Sequence, residues 1–160
     1  MSSKIIRVAL ISSIFILTST FTPAANAAPA DDACALLTPA QVAAGAGVPV
    51  NNGVPILPTD HKVCTWNATK PVPKSTKFVT LLLENLNAFQ AGKSSHMAGI
   101  VITPVSGVGD DAYYLAVADN AGLIVKKGNL AFKVAVYADL PLAAKEAMEK
   151  TLALQILSKL

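Results

Sequence analysis

The sequence predicts an α+β domain. Its antiparallel sheet has five or six strands, with a short N-terminal helix, a middle helix and a long C-terminal helix packed on one face. Three observations lead there. Residues 112–137 are strand-like segments separated by two turn signals, the pattern of a three-stranded meander. Near the C-terminus Met148, Leu152, Ile156 and Leu160 recur every four residues, an apolar stripe at helical spacing. Near the other end Leu37-Thr38-Pro39-Ala40-Gln41-Val42 carries the marks of a helix start.

The chain opens on an export signal. Lys4 and Arg7 form a positive segment, Val8 to Leu17 is apolar apart from Ser12 and Ser13, and Ala25-Asn26-Ala27 is a small-x-small cleavage site. The apolar run is shorter than the roughly 20 residues that cross a bilayer. Residues 1–27 are therefore read as a signal peptide cut after Ala27, residues 28–33 as a flexible mature N-terminus, and residues 34–160 as a single α+β domain. The expected location is secreted or periplasmic, with no membrane span. Lipid attachment at Cys34 is disfavoured, because Asp31 and Asp32 precede it and it lies well beyond the apolar run.

Along the mature chain, Thr38 caps the first helix, Pro39 takes its first position and Gln41 closes a capping box; Leu37 and Val42 form a hydrophobic staple, and Gly45 and Gly47 end the helix. Residues 48–60, with Pro49, Gly53, Pro55 and Pro58, read as a loop. The segment 61–68 reads as a first strand carrying Cys64 and Trp66. A turn at Pro71 and Pro73 leads to a buried strand over 78–83. Asn85 or Asn87 caps a short helix running through Phe89 and Ala91. A short strand over 98–103 ends at Pro104. Residues 112–118 form a strand, 119–122 (Asp-Asn-Ala-Gly) a turn, and 123–127 the next strand. Gly128-Asn129 is a two-residue hairpin turn into Leu130, Phe132, Val134 and Val136, with Lys133 and Tyr137 on the opposite face. Pro141 opens the last helix, where Glu146 and Lys150 stand one turn apart.

Charge and chemistry narrow the functional classes. Of the 13 basic residues, Lys4 and Arg7 belong to the leader, which leaves 11 lysines against ten carboxylates and no arginine. Arginine's bidentate fork is the usual instrument for phosphate and base recognition, so nucleic acid is not expected as a partner. Cys34 and Cys64 are the only cysteines, and an even pair in an exported chain reads as one structural disulfide. Gly107-Val108-Gly109-Asp110-Asp111-Ala112 matches a dinucleotide fingerprint in letters only, since a strand rather than a helix follows it. Gly92-Lys93-Ser94 lacks the glycine a phosphate loop needs at position 87. His61 and His96 stand apart in sequence, and two histidines with scattered carboxylates make no metal signature. Serines 75, 94, 95, 106 and 158 sit in no nucleophile elbow. Neither catalytic residues nor a cofactor are assigned. Lys126, Lys127 and Lys133, on facing strands of one hairpin with Tyr137 nearby, are candidate binding residues for an acidic glycan or lipid headgroup; their other reading is a charged outer face that discourages sheet association.

Three segments together, Cys34-Ala35-Leu36-Leu37-Thr38-Pro39-Ala40-Gln41-Val42, Cys64-Thr65-Trp66 and the 105–114 stretch Val-Ser-Gly-Val-Gly-Asp-Asp-Ala-Tyr-Tyr, resemble a family of small exported bacterial domains of unknown function, many of them actinobacterial lipoproteins. The resemblance spans most of residues 34–138. It implies an extracytoplasmic α+β domain and supplies no catalytic residues; the missing lipobox departs from many members. The expected function is a non-catalytic binding or interaction module of the envelope or secretome. Its partner would be a protein, an envelope component or a small apolar ligand held between sheet and helices. Two alternatives are a small hydrolase using His61 or His96 with an acidic partner, and a secreted enzyme inhibitor working through the loop 48–60.

Overall fold

The computed structural model describes residues 31–70 and 78–160; the segment read as a signal peptide and the expected turn at Pro71 and Pro73 lie outside the described residues. A 3-10 turn, Ala33–Ala35, precedes helix α1 (Pro39–Ala46). Strands β1 (Val54–Leu57), β2 (Asp60–Asn67) and β3 (Phe78–Glu84) follow, then helix α2 (Leu86–Lys93). Strands β4 (Ile100–Val105), β5 (Asp111–Val117), β6 (Asn120–Lys127) and β7 (Leu130–Tyr137) lead to helix α3 (Leu142–Leu157). The strands form one antiparallel sheet in the order β1-β2-β3-β7-β6-β5-β4. Two meanders, β1 to β3 and β4 to β7, meet where β3 pairs with β7, from Phe78 opposite Tyr137 to Glu84 opposite Ala131. Between them α2 carries the chain to the far edge.

The α+β class and the first two helix starts form as the sequence leads one to expect. Thr38 accepts the Gln41 amide and Gln41 accepts the Thr38 amide, with Gly47 ending α1 in a left-handed conformation. Asn85 caps α2 through the Ala88 amide. Gly128 and Asn129 join Lys127 to Leu130 in a two-residue turn, Gly128 having φ +57°.

Four expectations need correction. First, the sheet has seven strands, not five or six. The extra strand β1 lies within the expected loop 48–60. Proline density suggested a loop there, but Pro55 sits on an edge strand, where a missing N–H leaves no interior ladder bond unmade. Pro104 likewise lies inside the opposite edge strand β4 rather than ending it. Second, the helices occupy both faces. α1 and α3 share a core with Trp66, Leu81, Leu123, Phe132 and Val134, whereas α2 buries Phe89 against Tyr113, Ile124 and Ala131 on the other side. Neighbours such as Leu123 and Ile124 point to opposite faces, so an unbroken apolar run demands cover on both. Third, the β5–β6 turn is Ala118–Asp119, since Val117 pairs with Asn120. Gly122 instead lies mid-strand, where the Lys133 side chain occupies the space a Cβ would need. Fourth, Asp32 and Ala33 belong to the folded part rather than to a flexible tail, because Asp32 caps the 3-10 turn and Ala33 is fully buried.

On the last helix Met148, Leu152 and Ile156 of the expected stripe face the core. Leu152 and Ile156 are buried with Ala153, Lys145 and Glu149, while Leu160 lies beyond the helix and is exposed. Glu146 and Lys150 make no ion pair. No helix among the described residues is long and apolar enough to cross a membrane.

Candidate functional site

Three exposed large apolar side chains lie together on β1, in the β1–β2 hairpin. Val54, Ile56 and Leu57 are 51%, 59% and 56% exposed, an outlay of apolar surface that folding alone does not require. The base of this hairpin is fastened from several directions. Cys34 and Cys64 form the expected disulfide, tying the 3-10 turn to β2 across 30 residues. Val50 bridges to Ala68, the Asn51 amide donates to the Asn67 carbonyl at 2.8 Å, and the Thr69 amide donates to the Pro49 carbonyl at 3.0 Å. Gly53 runs so close to the core that a Cβ there would lie 2.7 Å from both Cys64 Sγ and Trp66 Nε1. Cys64 and Trp66 are themselves fully buried. Beyond this base the chain turns at Pro58 and Thr59, and exposed His61 and Lys62 follow. The register shift between Pro55 and Leu57 interrupts the ladder just where the apolar side chains stand out.

The lysine candidates do not converge on one basic patch. Lys127 lies at the β6–β7 turn, 3.2 Å from Asp110. Asp110 is held below the ordinary carboxylate range, chiefly by the Gly128 amide and then by Lys127. Lys126 and Lys133 stand on the α2 face of the sheet, opposite Ala131 and Leu82 respectively in their ladders. Lys133 lies across Gly122 and interacts with Glu84, whose carboxyl burial pushes upward while Lys133 draws it back. Tyr137 stacks on Phe78 with ring centroids 4.3 Å apart.

The histidines are also kept apart. His61 is on β2 and His96 precedes β4, strands five spacings apart, or roughly 24 Å across the sheet. Both are exposed, and Asp60 beside His61 accepts the Lys62 amide at 2.9 Å instead. Among the described residues no group of three or more His, Cys, Asp or Glu side chains is placed to hold a metal. Between sheet, α1 and α3 the apolar space lined by Ala46, Val48, Val50, Phe78, Val79, Val136, Ala138 and Met148 amounts to about 10 Å³, room for one water and not for a small apolar ligand.

Sequence reasoning missed two residues of chemical interest, Lys145 and Glu149, both buried on α3. Lys145 Nζ donates to the Asp119 carbonyl and, at 3.4 Å, to Asn120 Oδ1. It lines a polar cleft of about 530 Å³ between the β5–β6 turn and the start of α3, with Asp119, Asn120 and Asp139 on its walls. Glu149 Oε1 accepts the Val136 amide at 2.9 Å, while its Oε2 is buried without a hydrogen-bond partner. Burial pushes the Glu149 carboxyl up to about 7, against the Val136 amide. The signal for both was available: 145, 149, 152 and 156 repeat at helical spacing, so the charged pair continues the buried face of Leu152 and Ile156. Two tyrosines brace the helices. Tyr113 Oη donates to the Phe89 carbonyl at 2.9 Å and Tyr114 Oη to the Glu146 carbonyl at 2.6 Å, and burial pushes both phenols up to about 12.

No family model, curated protein or solved structure matches the chain.

Proposed function

We propose that this chain is an exported, non-catalytic interaction module that engages a partner protein through its β1–β2 hairpin. The observation that carries the reading is the exposure of Val54, Ile56 and Leu57 on a hairpin whose base is held by the Cys34–Cys64 disulfide and the close approach of Gly53. Holding a loop in its bound shape beforehand lowers the entropy lost on association. A covalently braced hairpin presenting apolar side chains therefore suits recognition of a protein surface with an apolar hollow. The leader over residues 1–27, the disulfide and the resemblance of the Cys34 and Cys64 segments to exported domains support an extracytoplasmic setting. A foreign enzyme is one partner of this kind, which makes the inhibitor role of the 48–60 stretch a special case of the same surface. Proline on both edge strands argues against recruitment by plain strand addition, so side chains rather than an open ladder carry the contact.

The test is site-specific photo-crosslinking in the native host. A photoreactive residue at Ile56 is expected to trap one discrete partner, and the same residue at Val101, 60% exposed on the opposite edge, is expected to trap none. The paired change Ile56→Asp and Leu57→Asp is expected to abolish capture from a neighbouring probe at Val54 while shifting stability by less than about 0.5 kcal/mol per site, as exposed substitutions do. Equal trapping from both edges, or capture that survives the paired change, overturns the reading.

A further inference from the structure

Helix α3 meets the sheet through two kinds of chemistry. Its second half seats Leu152, Ala153 and Ile156 in the apolar core. Its first half brings only the partly buried Leu142 and Met148 to that core and adds polar contacts: Tyr114 to the Glu146 carbonyl, Lys145 to the Asp119 carbonyl and Asn120, and the Val136 amide to Glu149. The last contact lies where two strands part. The β6–β7 ladder reaches its final pair at Leu123 and Val134, whereas β7 stays paired with β3 as far as Tyr137. Glu149 supplies from the helix an acceptor for the Val136 amide where the β6 ladder has ended.

Glu149 pays for this position in solvation. Its side chain is fully buried and Oε2 has no partner. An ionised carboxylate in such a place is costly unless a cation sits directly on it. The charged and titratable groups nearest it are Lys145 and Glu146 on its own helix and Tyr114 on β5, with Lys133 of β7 acting from the α2 face of the sheet; α1 (PAQVAAGA) brings none. Lys145 is engaged by Asp119 and Asn120, and neither lysine forms an ion pair with Glu149.

We propose that Glu149 is the proton-sensitive catch of a clasp: while its carboxyl is neutral, residues 142–149 stay seated over the β6–β7 split, and once it ionises that half of α3 lifts while residues 152–156 remain docked. Burial raises the carboxyl from 4.5 to about 7, so the drive to release builds between those values and is complete just above neutrality. An exported domain meets the pH of its surroundings directly, which makes the clasp a responsive element rather than a fixed one.

Amide hydrogen exchange on the folded chain tests this, with rates corrected for intrinsic base catalysis. Between pH 5 and pH 8 the protection of the Val136 amide and of residues 145–149 is expected to fall by up to about tenfold per pH unit until the Glu149 midpoint near 7 and to level off above it, roughly 70-fold in all. Protection at Leu81, Leu123 and Ile156 is expected to hold, and Glu149→Gln is expected to make the whole pattern independent of pH. Unchanged wild-type protection, a fall that includes Leu81 and Leu123 equally, or the same pH dependence in Glu149→Gln overturns the clasp. If Glu149→Gln fails to fold, carboxyl-carbon NMR titration of wild-type Glu149 decides: a midpoint above pH 6 supports the catch, and one at or below pH 6 overturns it.

Discussion

At the scale of single residues, the backbone asks for side chains that the local sequence does not always supply. Ala118 is the clearest case, a non-glycine residue at φ +50° in the β5–β6 turn. Left-handed backbone costs an L-residue roughly 1–2 kcal/mol, and the exposed Ala118 methyl has no core contact to offset it. Ala118→Gly is therefore expected to stabilise the fold by about 1 kcal/mol, after allowing for the extra freedom glycine gains when unfolded. In urea the midpoint should rise with an unchanged slope; an unchanged or lower midpoint defeats the argument. The same position explains why this turn was misplaced from sequence. Asp119-Asn120-Ala121-Gly122 has stronger turn chemistry than Ala118–Asp119, but Gly122 is bare for the sake of Lys133 from the neighbouring strand. A glycine used for packing and one used for turning look alike in a sequence. Lys145 and Glu149 were hidden for a related reason: charged residues are ordinarily solvated, and only their spacing against Leu152 and Ile156 marks them as inward.

At the scale of elements, what local signals specify is local. Thr38 with Gln41, Asn85, and Gly128-Asn129 place two helix starts and a hairpin, because each acts on backbone groups within a few residues. The edge strand β1 escaped because its pairing partner, not its own composition, makes it a strand. Its order depends on the disulfide, which gives the element-scale prediction. Replacing both Cys34 and Cys64 with alanine frees a loop of 30 residues in the unfolded chain, a loss of about 3.5 kcal/mol on the chain-entropy account. The paired substitution is expected to lower the urea midpoint accordingly. Amide exchange at residues 51–57 should accelerate more than at β5 or β6, whose pairing does not involve the 3-10 turn. Uniform acceleration across the sheet would mean that the bridge braces the whole fold and not the hairpin in particular.

At the scale of the whole molecule, the pairing of β3 with β7 joins the two meanders, and nothing in either segment names the other: both are apolar on both faces, so several strand orders satisfy their burial equally well. Long-range closure of this kind also decides which groups lose solvent, and through them how stability varies with pH. Glu149 is raised from the ordinary 4.5 to about 7 and Glu84 is raised as well, both chiefly by burial. A carboxyl raised in the folded state imposes no penalty below its unfolded value, where both states hold the proton. As pH climbs past 4.5 the unfolded chain ionises while folded Glu149 does not, so stability falls until the folded midpoint near 7 is passed and then levels off. Asp110 acts in the opposite direction, its lowered carboxyl removing stability as pH drops below the ordinary 3.8. The two trends place the stability maximum near pH 4, with a decline toward pH 8 on the order of 3 kcal/mol from Glu149. For a domain of this size that corresponds to a Tm lower by about 10 °C at pH 8 than at pH 5. Thermal melts at pH 5, 6.5 and 8 on the wild type and on Glu149→Gln measure it directly. The variant, with no proton to lose, should show a much shallower decline over that range, and a decline as steep as the wild type's would assign the pH dependence to some other group.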